Sequence, residues 1–158
     1  MPTKITPMLW FDTQAEEAAK FYTSIFKNSK IGAVSRYAEN MPMPKGTALT
    51  VSFTLDGQEY TALNGGPQFK FTEAVSLVVH CRDQAEIDYY WDRLLSGGGV
   101  PSVCGWLKDK FGMSWQVVPI FMMEMLESGD PAKTGRVLQV MMQMVKFDLK
   151  KLEDAARG

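Results

Sequence analysis

The chain has 158 residues, of which 46% are hydrophobic, and its 17 basic and 18 acidic residues leave a formal net charge of −1. This size is typical of one globular domain, or of two small halves that share a core. No cluster of Lys or Arg forms the basic stripe of a nucleic-acid-binding protein, and no apolar run is long enough for a signal peptide or a membrane span. We therefore expect a cytoplasmic protein that binds neither nucleic acid nor membranes, with Cys81 and Cys104 as reduced thiols.

The first half of the chain is predicted to contain one helix and four strands. Residues 15–26 are amphipathic and carry acidic residues in the first turn, where the helix dipole favours negative charge. The last two strands are joined by Asp56-Gly57, a turn sequence that indicates a hairpin. The predicted strands are residues 8–11, 30–37, 47–55 and 58–64.

The second half repeats this pattern. Gln14-Ala15-Glu16 recurs 70 residues later as Gln84-Ala85-Glu86, and an aromatic residue stands five positions after each triplet. An internal repeat of this kind indicates two copies of one structural unit. The second copy is predicted to have strands at residues 76–79 and 100–103, a helix at 84–95, and a hairpin formed by 106–110 and 113–120.

The two hairpins align on Gly57 and Gly112. This alignment makes Thr61 the counterpart of Gln116 in the last strand of each half. Trp106 and Trp115, which flank the second hairpin, are expected to pack between the sheet and its helix.

Helices are predicted beyond the second hairpin. Residues 120–127 have helical character, and Asp130-Pro131 is typical of a helix start, because Asp is a good N-cap and Pro a good first helical residue. Apolar positions near helical spacing extend this helix over residues 131–147, and a short last helix is predicted to begin at Asp148. We expect this tail to pack over the domain or against a partner subunit.

Two glycine-rich segments are interpreted as turns. Asn64-Gly65-Gly66 lacks the Lys-Ser or Lys-Thr that follows in a phosphate-binding loop. Gly97-Gly98-Gly99 follows a helix, whereas nucleotide and methyl-donor loops lie between a strand and the next helix. The triple glycine is therefore interpreted as a helix C-cap with a turn, and nothing in these residues supports a methyltransferase.

Five motifs carry a family resemblance. They read ALNGGP at 62–67, FKFTEA at 69–74, DYYW at 88–91, CGWLKDKFG at 104–112 and SWQVVP at 114–119. Together they resemble the PhnB-like branch, also named demethylubiquinone methyltransferase-like, of the glyoxalase/bleomycin-resistance/dioxygenase (vicinal oxygen chelate) superfamily. The resemblance implies an α+β fold of two β-α-β-β-β modules, with curved mixed sheets around a cavity as in glyoxalase, plus C-terminal helices. It implies a single domain over residues 1–158, with module one at 1–66, module two at 74–120 and a helical tail at 121–158.

The resemblance also implies where a metal would bind. In this superfamily the ligands are His, Glu or Gln side chains from the first and last strands of each module. The repeat aligns those positions with Thr6, Thr61, Ser76 and Gln116. A divalent cation in such a site needs His or carboxylate ligands, which these four residues do not supply. We therefore expect no metal and no other cofactor.

Strand alternation identifies the residues that face the implied cavity. An apolar pocket with few polar groups is typical of a small-molecule site, but also of a filled core. The cavity-lining candidates are Thr6, Met8, Trp10, Thr61, Leu63, Ser76, Val78, His80, Gln116 and Val118.

Four polar residues are candidates for specific roles. His80, the only histidine, is either a general acid or base near neutral pH or a strand-end residue without chemistry. The Gln116 amide either orients a ligand or is satisfied by a neighbouring strand. Glu59 and Asp109 are further candidates for proton transfer.

Three functions are consistent with these residues, and we rank them in the following order. The first is metal-independent binding of a small apolar or aromatic molecule of unknown identity, by a homodimer. The second is a superfamily enzyme of lyase, isomerase or dioxygenase type, whose rearranged site uses His80, Glu59 or Asp109. The third is a structural or partner-binding domain, favoured if Trp10, Met8 and Leu63 fill the cavity. Fold alone does not decide between them.

Overall fold

The computed structural model describes residues 3–158. Two compact units divide the chain after Lys70. This boundary lies in the segment that the sequence predicts as the connection between the two modules.

Unit one, which ends at Lys70, contains one β-α-β-β-β module. Its elements are β1 (Met8–Phe11), α1 (Ala15–Ile25), β2 (Lys30–Arg36), β3 (Ala48–Leu55) and β4 (Gln58–Asn64). The strands form one mixed sheet in the order β1-β4-β3-β2, in which β1 is parallel to β4 and the other neighbours are antiparallel.

One face of this sheet packs against α1, and the other face is open. Along β3, Val51 and Phe53 are buried whereas Ser52 between them is exposed. The buried residues of α1 include Ala18 and Tyr22, which lie on the side of the helix that packs against the sheet. Because strand side chains alternate, each strand contributes its remaining residues to what we call the open face of unit one.

Unit two, which begins at Phe71, contains the second module and the helical tail. The module consists of β5 (Leu77–Cys81), α2 (Gln84–Leu95), β6 (Val100–Pro101), β7 (Trp106–Lys108) and β8 (Ser114–Pro119). Its sheet order is β5-β8-β7-β6, with β5 parallel to β8. The tail consists of α3 (Ile120–Glu127), α4 (Pro131–Met141) and α5 (Leu149–Arg157).

The two sheets have the same register. Met8 lies opposite Thr61 in unit one, and Val78, which is 70 residues after Met8, lies opposite Gln116 in unit two. This register confirms the predicted repeat and the correspondence of Thr61 with Gln116. The predicted α+β class, with two β-α-β-β-β modules, mixed sheets and C-terminal helices, is confirmed as well.

The tail departs from the prediction of one helix over 131–147. α4 begins as predicted, with the Asp130 side chain accepting a hydrogen bond from the Lys133 backbone, but it ends at Met141. The next segment bonds to the turn before β7 instead, because its carbonyls at 144 and 145 accept hydrogen bonds of 2.9 and 2.8 Å from the backbone N–H groups of Cys104 and Gly105. The new helix then starts where predicted, capped by Asp148.

The prediction for Trp106 was wrong, whereas Trp115 lies where expected. Trp115 is buried on the helix side of the sheet beside Leu107, its partner in the β7–β8 pair. Trp106 precedes Leu107 in β7, so its side chain lies on the opposite, open face with Gln116. Across residues 3–158, no helix combines the length and apolar character that crossing a membrane requires.

Candidate functional site

A cavity of about 260 Å³ opens on the open face of unit one. Its volume is near the lower end of the range of small-molecule sites. The lining residues are Thr6, Lys30, Gly32, Ser52, Phe53, Thr54, Glu59, Tyr60 and Thr61. The sequence identified Thr6, Glu59 and Thr61 among them.

Charged side chains lie on the two sides of this cavity. Lys30 pairs with Thr54 across β2 and β3, and Thr54 pairs with Glu59 across β3 and β4. A positive and a negative group therefore flank a central hydroxyl. Glu59 is held in place, because its carboxylate accepts a hydrogen bond of 2.7 Å from the Thr3 backbone N–H.

Gly32 leaves space on the open face beside Ser52. Ile31 pairs with Phe53 across β2 and β3, and the same antiparallel register brings the next residue, Gly32, opposite Ser52. A Cβ atom at Gly32 would lie 3.4 Å from the Ser52 carbonyl oxygen, at ordinary van der Waals distance, in the space above the sheet. The missing side chain at this position therefore leaves room that a larger residue would fill.

An apolar wall extends the same open face beyond the cavity. The Trp10 indole N–H donates a hydrogen bond of 2.9 Å to the Gly66 carbonyl, and Phe69 packs edge-on against the indole at 4.9 Å between ring centroids. A Cβ atom at Gly65 would lie 2.3 Å from the Trp10 ring, so only glycine fits beneath it. Met8 remains 57% exposed. This wall is fixed in position and accessible.

The open face of unit two carries the other predicted residues. Val78 and His80 of β5 lie opposite Gln116 and Val118 of β8. The Gln116 amide donates a hydrogen bond of 3.0 Å to the Ser76 hydroxyl, so it is satisfied by a neighbouring segment. His80 is exposed, and its imidazole has no hydrogen-bond partner within residues 3–158.

Three functional candidates on the open faces were missed in the sequence. They are Lys30 and Ser52 in unit one, and Lys108 in unit two. The signal was present, since Ser52 alternates with buried Val51 and Phe53 in β3. The predicted face was traced only along the first and last strand of each module, because the resemblance places metal ligands there.

Asp109 does not lie with the other candidates. Its carboxylate is buried on the helix side of the sheet, 3% exposed. It accepts hydrogen bonds from the backbone N–H groups of Phe111 and Met113 at 2.9 and 3.1 Å, and from the Trp115 indole N–H at 2.9 Å. These donors tie the β7–β8 turn together, and this is a structural role for the side chain.

Cys81 is an unsuitable nucleophile. The thiol is fully buried, and this burial is the main cause that raises its pKa to about 12. A thiol with this pKa stays protonated at neutral pH, and the thiolate is the reactive form.

The donor set at the superfamily's metal positions does not fit a divalent cation. Thr6 and Thr61 offer neutral hydroxyls, and Ser76 and Gln116 are bonded to each other. Within residues 3–158, no three side chains of His, Cys, Asp or Glu are grouped to hold a metal ion. Such cations are bound in proteins by imidazole, thiolate or carboxylate ligands.

Comparison with known proteins gives a match to one family model and to several solved structures. Residues 3–118 match the family described as 3-demethylubiquinone-9 3-methyltransferase. A PhnB protein from Bacillus cereus is 40% identical, with a TM-score of 0.68, and the match covers 74% of this chain and 99% of that one. A Pseudomonas aeruginosa protein, 18% identical over 74% of this chain and 97% of its own, shares the fold with a TM-score of 0.60.

A more distant match is a glyoxylase/bleomycin resistance protein/dioxygenase domain from Frankia. It is 13% identical, with a TM-score of 0.48, over 75% of this chain and 93% of that one. No functionally curated protein matches the sequence significantly. The family match ends at residue 118, so the three tail helices lie outside it.

Proposed function

The chain belongs to the 3-demethylubiquinone-9 3-methyltransferase family of PhnB-like proteins, and we propose that it is a metal-independent protein that binds a small apolar or aromatic molecule. The open face of unit one carries this proposal. There a cavity of about 260 Å³ with hydroxyl and charged groups lies on the same face as the exposed apolar wall of Met8, Trp10 and Phe69. Apolar surface with a few placed polar groups is the usual composition of a small-molecule site.

Metal independence rests on the chemistry of the side chains. The four positions that hold the metal in the superfamily contain two threonines, a serine and a glutamine. The serine and the glutamine bond to each other. The cavity contributes one carboxylate, Glu59, which is bonded to Thr3.

A binding function has more support than a filled structural core. Filling by Met8, Trp10 and Leu63 would leave these side chains largely buried, yet Met8 is more than half exposed. We do not propose methyltransferase activity for this chain. Its triple glycine follows α2 and forms no loop between a strand and a helix, where methyl-donor loops lie.

The test uses two neighbouring substitutions in β2. Gly32→Val places a side chain in the cavity, and Val is well tolerated in strands. Ala33→Val makes a similar change at the adjacent exposed position and is the matched control. With chelator-treated protein and benzyl alcohol as a neutral aromatic probe, calorimetric titration should show binding that G32V weakens roughly tenfold, which is about 1.4 kcal/mol, and A33V leaves unchanged.

The outcomes separate the proposal from its rivals. If both variants bind benzyl alcohol equally well, the ligand binds elsewhere. If the native protein binds neither benzyl alcohol nor related neutral aromatics, the proposal of an aromatic ligand is wrong. Thermal unfolding of both variants shows whether they remain folded.

We also propose that the protein is a homodimer, with its tail in the interface. α3 buries Met122 and Met125 but also exposes Ile120, Met123 and Leu126 beside its two glutamates. Exposed apolar patches of this kind often mark protein–protein interfaces. Light scattering should give twice the chain mass of 17.7 kDa for the native protein. Leu126→Lys should lower the measured mass toward that of one chain. Met41→Lys, at an exposed loop position, is the control, and a native monomer would contradict the proposal.

A further inference from the structure

A buried hydroxyl without a hydrogen-bond partner indicates a second candidate site, in unit two. Ser114 is fully buried, and within residues 3–158 its hydroxyl oxygen is a buried side-chain atom that makes no hydrogen bond. Buried hydroxyls in proteins are nearly always satisfied, and an unsatisfied one costs free energy. An unpaired group of this kind therefore needs an explanation.

The neighbours of Ser114 are polar and lie on one face. Ser114 precedes the buried Trp115 in β8, so its side chain lies on the open face with that of Gln116. Lys108 is directly opposite Ser114 in the β7–β8 pair. Side chains at such opposite positions are typically about 5 Å apart at Cβ. The Lys108, Ser114 and Gln116 side chains therefore start from neighbouring positions on one face of the sheet.

A carboxylate already occupies the ammonium. Lys108 forms an ion pair with Glu73, and both side chains are partly exposed, by 42% and 61%. The hydrogen bond from Lys108 is also the main cause that holds the pKa of the Glu73 carboxyl below its ordinary value. Exposed ion pairs of this type contribute little stability, so a competing anion can displace Glu73 at small cost.

We propose that Lys108 and Ser114, with Gln116 beside them, form an anion subsite that takes a carboxylate group of a ligand. Glu73 occupies this subsite in the absence of ligand. An incoming carboxylate replaces the Glu73 carboxylate on the Lys108 ammonium. Displacement of Glu73 uncovers the Ser114 hydroxyl, which is fully buried in the free protein, and the carboxylate accepts the hydrogen bond that this hydroxyl lacks. The subsite goes beyond the proposed function, because it lies in unit two and recognises charge.

The repeat shows that this feature is specific to unit two. Ser114 stands two residues before Gln116, and Glu59 stands two residues before the corresponding Thr61. Lys108 lies opposite Ser114, whereas Thr54 lies opposite Glu59. The equivalent pair of positions therefore holds Thr54 and a carboxylate, Glu59, in unit one, but an ammonium, Lys108, and Ser114 in unit two.

The test compares two probes of the same shape. Benzoate carries the carboxylate, and benzamide is its neutral counterpart. In a titration of ¹⁵N-labelled protein followed by NMR, benzoate should shift the backbone resonances of Ser114 and Gln116 in a saturable manner. Benzamide should bind there at least roughly tenfold more weakly, because charge-assisted hydrogen bonds are about twice as strong as neutral ones.

Three substitutions assign the roles. Lys108→Met should abolish benzoate binding at this site. Ser114→Ala should weaken it roughly threefold to tenfold while leaving the melting temperature unchanged or higher, because the hydroxyl makes no bond in the free protein. Glu73→Gln should tighten binding by removing the competing carboxylate. Glu39→Gln, which disrupts the exposed pair with Lys45 in unit one, is the matched control and should leave benzoate binding unchanged.

The result that would overturn the subsite is equal binding of benzoate and benzamide, or benzoate binding that survives both Lys108→Met and Ser114→Ala. If Glu73→Gln binds benzoate more weakly than the native protein, the ligand does not displace Glu73. The proposed function is tested separately, because benzyl alcohol binding and its loss in Gly32→Val concern unit one alone.

Discussion

Two buried side chains, Asn64 and Asp109, hold backbone segments in place through hydrogen bonds. The Asn64 amide oxygen accepts a hydrogen bond of 2.8 Å from the Ala15 N–H, and its NH₂ group donates one of 2.9 Å to the Ala48 carbonyl. The residue at the start of α1, Gln14, makes no capping bond with its side chain. Asn64 therefore caps a helix that lies 49 residues earlier in the chain.

Asp109 has the same type of role in the β7–β8 turn, and its substitution tests whether that role is structural. Asp109→Ala removes the acceptor of the buried Met113 and half-buried Phe111 backbone N–H groups and of the Trp115 indole N–H. We expect a loss of about 3 kcal/mol in the free energy of unfolding, measured by urea denaturation. Asp92→Ala, at an exposed position of α2, is the control and should change stability by less than about 0.5 kcal/mol. Native stability with lost ligand binding would instead assign Asp109 to function.

At the scale of elements, one buried aromatic side chain helps to attach the tail to module two. Phe147 is 2% exposed, and a Cβ atom at Gly105 would lie 2.6 Å from its ring. Gly105 has a φ of +80°, which also favours glycine. The close contact of ring and backbone therefore depends on both residues.

Removal of that ring should detach the tail. Phe147→Ala should lower the free energy of unfolding by about 3 to 5 kcal/mol, as large-to-small changes in buried aromatics do. Hydrogen exchange at Cys104 and Gly105, whose N–H groups bond to the tail, should accelerate more than exchange in β3. A uniform acceleration across the chain would show that the tail is not a separate element.

A second attachment of the tail depends on pH. Lys146 and then Gln84 bond to Asp88 and hold the pKa of its carboxyl below the ordinary value of 3.8. Because the pKa of the folded protein is depressed, this stabilisation is present above pH 3.8, the ordinary pKa, and is lost as the pH falls through the lower pKa of the folded state. The melting-temperature difference between native protein and Asp88→Asn should therefore shrink between about pH 5 and pH 3. A constant difference would contradict this attachment, and Asp92→Asn is the control.

At the scale of the whole molecule, the elements and the repeat were predictable because their signals are local. The helix at Gln84–Leu95 and the strand at Gln58–Asn64 have the predicted bounds, since alternation, helical spacing and turn sequences lie within a few residues. The end of α4 was not predictable. It is decided by hydrogen bonds from Cys104 and Gly105, some 40 residues earlier in the chain, which outweigh the continued helical spacing.

The candidate site was only partly predictable for the same reason. Residues on the first and last strands followed from the repeat, whereas Lys30 and Gly32 line the cavity through the pairing of β2 with β3. That pairing shifts by one position before Val34, and the sequence of β2 contains no clear alternation that shows where this happens. The role proposed for Ser114 in binding an anion likewise depends on Lys108, its partner across the hairpin, and not on neighbouring residues in the sequence.

The central claim, that binding needs no metal, is tested most directly by thermal unfolding of chelator-treated protein. Mn²⁺, Co²⁺, Ni²⁺ and Zn²⁺ should each leave the melting temperature unchanged. Benzyl alcohol should raise it in a saturable manner, since a ligand at one hundred times its dissociation constant adds about 2.7 kcal/mol to the stability of the folded state. A saturable increase with a metal, and none with the aromatic probe, would contradict this account and make metal-dependent chemistry the leading function.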